Sequence, residues 1–297
     1  MINSVLGIDI GGTNIKIAFV DKNYSILRSE TKKTSFFPSF EDFAFFIKDL
    51  ILSLKNQFNV IGIGIGAPNA NFYTCKIENA PNLNWGKSID VCNIMEKITG
   101  IKTKLTSDAN AIALAELKLG YGKKYTNFLV ITIGTGLGSG IVVNGEIFNG
   151  AHGWAGELGH INIIPDGRQC SCGSRGCLET YVSDRGITQT YIELGGKPIS
   201  AFHIANLAYQ GDKKALTAYK KTGYYLALGL KNYIHLFDNQ AVIFFGGIAN
   251  SLNLFKDAMI ETLNEILLPN FRNKQQFLYS KIHKKYGAAI GAATLIF

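Results

Sequence analysis

Three cysteines stand within eight residues, Cys170, Cys172 and Cys177, and His160 lies ten residues ahead of the first. Cys-x-Cys-x4-Cys with a preceding histidine offers three thiolates and one imidazole, the donor set tetrahedral Zn2+ takes when all four ligands come from protein. A site closed in this way has no vacancy for water, so its task is structural. It would fold residues 150–180, a Gly-, Cys- and charge-rich loop with few periodic apolar positions. A disulfide reading fits poorly, because three thiols leave one over; free thiols are the plain alternative. Cys75 and Cys92 stand alone and read as buried small hydrophobes.

A second kind of chemistry sits in Asp9-Ile10-Gly11-Gly12-Thr13-Asn14-Ile15-Lys16. Glycines let backbone N–H groups close on phosphate oxygens. Thr13 adds a hydroxyl, Lys16 a cation, and Asp9 at the strand end could hold Mg2+ through water. The Walker P-loop is excluded, since no Gly-Lys-Ser/Thr ending and helix follow. Gly134-Thr135-Gly136-Leu137-Gly138-Ser139-Gly140 repeats the glycine pattern. Two such turns facing each other would clamp a nucleotide polyphosphate, with the adenosine end over Gly246-Gly247. The plain reading of each is a turn whose glycines serve geometry. Asp108 follows a short strand and opens an Ala-rich segment. Aspartate there is a favoured helix N-cap. A helix N-terminus also favours an ionised carboxylate, which leaves Asp108 ready to accept a proton.

The elements that would position these residues follow from periodicity. Residues 5–20 alternate as strand, glycine turn, strand; 60–65 and 241–245 read as strands; 40–55, 109–119, 213–236 and 251–267 read as helices. Residues 287–297 form a small-residue helix that must pack closely on something. At an offset of 123 residues, Leu6, Ile8, Ile10, Gly11 and Val20 fall on Leu129, Ile131, Ile133, Gly134 and Val143. That points to two related domains, each opening with a glycine-turned hairpin, and a boundary at Gly120-Tyr121-Gly122.

Composition narrows the class. The 297 residues are 47% hydrophobic and 18% charged, which excludes wholesale disorder. No apolar run is long enough for a membrane helix, and the N-terminus lacks a signal-peptide pattern. A cytoplasmic protein is expected, without disulfides. Lys and Arg number 30 against 22 Asp and Glu, a net charge of +8 that is scattered in short pairs. A diffuse excess suits a small anionic ligand at least as well as nucleic acid.

The two hairpins and Gly246-Gly247-Ile248 look like the actin, Hsp70 and sugar-kinase superfamily. Gly156-Glu157-Leu158-Gly159-His160, followed by Cys170-Ser171-Cys172-Gly173-Ser174-Arg175-Gly176-Cys177-Leu178-Glu179, resembles the ROK family, and within it the ATP-dependent glucokinases. The resemblance covers essentially the whole chain. It implies an α/β two-domain actin/Hsp70/hexokinase-like (ribonuclease H-like) fold with a cleft between the domains. Residues 1–119 would be the smaller domain, with the first phosphate hairpin and the catalytic Asp108. Residues 120–297 would carry the second hairpin, the zinc loop and the adenosine site, with the helix at about 287–297 packing back on the first domain.

It further implies ATP with Mg2+, structural Zn2+, a homodimer or homotetramer, and phosphorylation of an aldohexose, glucose at O6 foremost. N-acetylmannosamine, N-acetylglucosamine, fructose, allose or a β-glucoside are the alternative acceptors. Glu157, His160 and Glu179 match positions that contact sugar hydroxyls, and Asn82 or Asn84 lies in the matching loop Pro81–Trp85. Two positions depart from the pattern: Ser107 stands where Asn is usual, and Asn69 where Gly follows Gly66-Ala67-Pro68. Both lie near the expected sugar site. The same family contains sugar-responsive repressors with a winged helix-turn-helix ahead of this body. The first hairpin begins at about Leu6, so a DNA-binding domain and a nucleic-acid partner are not expected.

Overall fold

The structure is a computed structural model that describes residues 1–297. In chain order its strands and helices are β1 (Ile2–Ile10), β2 (Asn14–Val20), β3 (Ile26–Lys33), α1 (Phe40–Ser53), β4 (Phe58–Ala67), β5 (Ala70–Asn71), β6 (Lys76–Glu78), β7 (Ser88–Asp90), α2 (Val91–Thr99), β8 (Thr103–Ser107) and α3 (Asp108–Leu119). There follow β9 (Phe128–Ile133), β10 (Leu137–Val143), β11 (Glu146–Ile147), α4 (Glu179–Val182), α5 (Asp184–Glu193), α6 (Ala201–Tyr209), α7 (Lys213–Phe237), β12 (Ala241–Phe245), α8 (Lys256–Ile266), β13 (Gln276–Tyr279) and α9 (Gly287–Ala293). No helix is long and apolar enough to cross a membrane.

The chain divides into two compact units. The first is Met1–Lys123, Asn149–Ala155 and Lys281–Phe297; the second is Lys124–Phe148 and Gly156–Ser280. The sequence reading put one cut at 119/120. The observed division falls four residues later, and a short loop and the C-terminal segment return to the first unit. Cross-chain packing decides membership, and a single cut along the sequence cannot express it.

The first unit is built on a five-stranded sheet ordered β3-β2-β1-β4-β8. β2 lies antiparallel to β1 and β3, while β1, β4 and β8 run parallel. Its core gathers Leu6, Ile8, Ile10, Ile15, Ile17, Ile63 and Ile65 with Phe40, Phe43 and Ile47 of α1. A capping box starts α1: Ser39 accepts from the Asp42 N–H, and the Asp42 carboxylate accepts from the Ser39 N–H. On the other face lies α9, every residue of it buried. A Cβ at Gly7 or Gly64 would run into the carbonyls of Ala289 and Ala292. The small residues of the C-terminal helix therefore meet glycines of β1 and β4, and Gly291 meets the backbone of α3 in the same way.

A small sheet, β5-β6-β7, extends this unit. Pairing of Lys76 with Asp90 draws the start of β6 beside the start of α2. Cys75 and Cys92 are bonded there, with Cα atoms 5.7 Å apart. This corrects the expectation of two isolated cysteines and no disulfide. Seventeen residues separate the pair in sequence, and only the strand pairing between them brings the sulfurs together.

The second unit repeats the plan as β11-β10-β9-β12-β13. Again the first two pairings are antiparallel and the last two parallel. The duplication is out of step at the turns. Ile10 pairs with Ile15, whereas Ile133 pairs with Leu137. The second turn is one residue shorter, so the partner of Val20 in the repeat is Val142 and not Val143. Helices α5 to α8 cover this sheet, with Leu226 and Leu230 of α7 and Met259 of α8 in the core beside Phe255. The helix expected over 251–267 begins only at Lys256. Ile248–Leu254 is a 3-10 stretch, and Phe255 breaks from helical geometry at φ −128.

Candidate functional site

In the first unit the candidate residues collect at the carboxyl ends of the parallel strands, where open α/β sheets bind ligands. Asp9 is in register with Gly66, and Ala67 with Ser107, so β1, β4 and β8 end side by side. Asp9 is 8% exposed, and its carboxylate takes the Lys16 ammonium at 2.8 Å. Each of these two candidates thus already holds the other. The turn after β1 is closed by the Gly11 N–H donating to the Asn14 carbonyl at 3.0 Å, and Thr34 anchors it through the carbonyls of Gly11 and Thr13. Thr13 itself is exposed at the tip. Gly12 is no bare platform: a Cβ there would meet the Cβ of Asn82 at 2.8 Å. The Pro81–Trp85 loop is pinned behind it. Trp85 stacks on Phe43 and donates from its indole N–H to the Phe37 carbonyl at 2.8 Å.

Asp108 is exposed in the first turn of α3. The cap is Ser107, whose hydroxyl accepts from the Asn110 N–H at 3.2 Å. The Asp108 carboxylate accepts from the Ala109 N–H at 2.7 Å. The alternative reading of Asp108 as N-cap is therefore corrected: the smaller serine takes that role. Asn69 sits at φ 51, and its side-chain amide donates to the Asn79 carbonyl at 3.1 Å. Asparagine tolerates this left-handed region better than other residues with a Cβ. That explains how it stands where glycine is usual.

Sequence reasoning missed Asn71, which is 2% exposed and staples two segments. Its amide donates to the His152 carbonyl at 2.8 Å and accepts from the N–H groups of Tyr73 and Thr74. With Glu78 and Trp154 these residues line a depression of about 410 Å³. The available signal was Gly150 and Gly153, both at positive φ in an otherwise featureless loop.

In the second unit, Phe245 at the end of β12 is in register with Thr132 of β9, so Gly246-Gly247 and Gly134–Gly136 follow the carboxyl ends of two adjacent parallel strands. Gly246 is required by geometry: φ is +105, and a Cβ would strike the Ile133 backbone. Gly134 and Gly247 face open space. Gly136 faces the Glu179 carboxylate, which accepts from the Leu137 N–H at 2.8 Å. Thr135 is exposed at the turn. The Gly156–His160 segment is held to β10 by Ser139, whose hydroxyl donates to the Gly156 carbonyl and accepts from the Leu158 N–H. Glu157 is exposed, with Oε2 4.0 Å from His160 Nε2.

His160, Cys170, Cys172 and Cys177 come together, their ligand atoms all within 4.8 Å of one another. Cys170 Sγ is 3.6 Å from His160 Nδ1, and Cys172 Sγ is 3.7 Å from Cys177 Sγ. A tetrahedron with Zn–S near 2.3 Å has S–S edges of roughly 3.8 Å, so the donor set and its spacing fit Zn2+. A backbone hydrogen bond at Ser174 is the main influence drawing the Cys172 thiol down to about 7, whereas burial pushes Cys177 up to about 12. Gly176, at φ +73 against the Ile164 carbonyl, lets the loop turn between the last two cysteines.

Comparison with known proteins places this architecture. The ROK family profile matches residues 5–297. The chain belongs to the ROK family. Among its relatives are a glucokinase of Thermotoga maritima, 30% identical over 98% of this chain and 96% of that one, and an N-acetyl-D-glucosamine kinase of Haemophilus influenzae, 29% identical over 97% and 98%. A xylose repressor of Bacillus spizizenii is 30% identical over 82% of this chain and 62% of its own length. A ROK glucokinase from Streptomyces griseus, solved with glucose and AMPPNP, superposes with a TM-score of 0.81 at 29% identity, over 98% of both chains. The ROK chain described here therefore has the actin/hexokinase-like fold of those structures.

Proposed function

We propose that this ROK-family sugar kinase transfers the γ-phosphoryl group of ATP to O6 of glucose. The observation that carries the reading is Asp108. Its carboxylate is exposed in the first turn of α3, at the strand ends where Asp9 and the first glycine turn also lie. In the proposed reaction Asp108 accepts the proton of the sugar O6–H as the O6–P bond forms and the bond from Pγ to the ADP oxygen breaks. Amides of Gly12 and Gly136 and the Thr13 and Thr135 hydroxyls bind the phosphates, while Gly11 and Gly134, whose own N–H groups close the two turns, shape the phosphate loops, with Lys16 beside the first turn. Gly246 and Gly247 lie under the adenosine.

Asp9 would hold ATP-bound Mg2+ through water, and the ion supplies neutralisation of phosphate charge when bound. Zn2+ at His160, Cys170, Cys172 and Cys177 would fix the loop between His160 and Glu179. With His160 Nδ1 toward the metal, Nε2 is left on the side of Glu157, which suits a ring that hydrogen-bonds sugar hydroxyls. Glu157 and Glu179 complete the acceptor contacts in this reading, with Asn82, Asn69 and Ser107 beside them. The glucokinase relatives support glucose in this reading, and the N-acetyl-D-glucosamine kinase relative keeps an N-acetylated hexose as the alternative acceptor.

An ADP-release assay across a sugar panel tests the reading. Glucose should have the highest kcat/KM, mannose or glucosamine less, and N-acetylated sugars least, with phosphate on O6. A clear win for N-acetylmannosamine, N-acetylglucosamine or fructose would leave a sugar kinase and remove glucose as its substrate. No turnover with any sugar, together with binding to operator DNA, would favour a repressor.

A further inference from the structure

Two glycines of the second turn look alike in sequence and differ in what surrounds them. Neither Gly134 nor Gly136 adopts the positive φ that demands glycine. Around the absent Cβ of Gly134 there is nothing within 4 Å. Around that of Gly136 there is one thing only, the Glu179 side chain, with Oε2 at 2.6 Å and Cδ at 3.5 Å. That same oxygen accepts the Leu137 N–H at 2.8 Å.

Glu179 has little freedom to back away through its main chain. Arg168 grips the segment behind it, donating to the carbonyls of Thr180 and Gly186 at 2.9 and 3.0 Å, to the Thr190 hydroxyl, and to Glu193 at 2.7 Å. The Arg168 guanidinium also lies 4.6 Å from the Tyr181 ring centroid. Asp184, at the start of α5, donates its N–H to the Gly134 carbonyl at 2.9 Å. The turn and the α4–α5 segment are thus joined at both ends of the turn. A methyl group at Gly136 would be accommodated by swinging the carboxylate away, at the cost of its bond to Leu137.

We propose that Gly136 is glycine to seat Glu179, and that this carboxylate couples the second glycine turn to the acceptor sugar. The coupling rests on the reading above that Glu179 contacts the sugar and the turn contacts phosphate. An interaction that links two sites is reciprocal. Sugar hydroxyls that hold Glu179 in place favour the turn geometry that binds nucleotide, and an ordered turn favours the sugar.

A double-mutant cycle tests it, with Gly136→Ala, Glu179→Ala and the pair, reading glucose and AMPPNP Kd by calorimetry and thermal melting without ligand. Gly136→Ala alone should weaken glucose binding roughly tenfold or more, the effect of losing a charge-assisted hydrogen bond. In the Glu179→Ala background the same change should cost less than about twofold in glucose Kd and should not lower the melting temperature further. Additive losses, or a Gly136→Ala protein that binds glucose normally while losing AMPPNP, would overturn the proposal. If the wild type binds no sugar in the panel, the kinase reading fails and the sugar coupling with it. The melting cycle still decides whether Gly136 answers to Glu179.

Discussion

His160 Nδ1 lies 3.6 Å from the Cys170 sulfur, and the opposite ring nitrogen is turned toward Glu157. One imidazole can therefore serve a metal on one side and a hydroxyl on the other, and ligation by Nδ1 fixes which nitrogen carries the proton. Protein purified without chelator should hold near one Zn2+ per chain by elemental analysis, and Cys172→Ser should lower that content and the melting temperature. Ligand thiols give up protons on binding, so the ion should be lost progressively on acidification. A zinc-free wild type indifferent to chelators would remove the assignment.

Asp108→Asn keeps the size of the side chain and an oxygen for the Ala109 N–H. It removes the negative charge and with it the ability to take a proton. The kcat should fall by about 10²–10⁴-fold, the usual worth of a general base, while the melting temperature and glucose Kd stay near wild type. Turnover close to wild type would place the base elsewhere.

Gly12→Ala drives a methyl group into Asn82. It should raise the KM for the acceptor sugar as well as that for ATP. Gly247→Ala points into open space and should act on ATP alone. Steady-state kinetics with each substrate varied separates the two. An acceptor KM unmoved by Gly12→Ala would take Asn82 out of the sugar site.

Gly64→Ala tests the docking of α9. The added methyl would overlap the Ala292 carbonyl, which is backbone and cannot rotate aside. Overpacking of this kind costs about 1–3 kcal/mol or more, to be read by chemical denaturation. Unchanged stability would mean that α9 shifts at little cost.

Much of this was legible from local pattern. The strands at 5–20 and 241–245 and the helices near 40–53, 108–119 and 213–237 follow their apolar periods, and the gathering of His160 with Cys170, Cys172 and Cys177 follows their spacing. β3 escaped because it alternates between half-buried and exposed positions and carries Arg28, Glu30 and Lys32, leaving little apolar signal. The Cys75–Cys92 bond and the Asn71 staple escaped because partners far apart in sequence meet only through sheet pairing and a loop crossing. Gly12, Gly134, Gly136 and Gly246 are identical letters. Their different duties depend on which neighbour occupies the missing Cβ position, and that is a property of the fold alone.

The return of residues 281–297 to the first unit bears on the order of folding during synthesis. Every residue of the second unit is translated before α9 is. A nascent chain extending to Ser280 can complete the second sheet and its covering helices while the glycine face of β1 and β4 remains bare. The half that emerges first from the ribosome must therefore finish last, holding an uncovered sheet face through the synthesis of its neighbour. Exposure of that kind is where chaperone binding and misassembly concentrate, and slowing translation just before residue 281 should lengthen it.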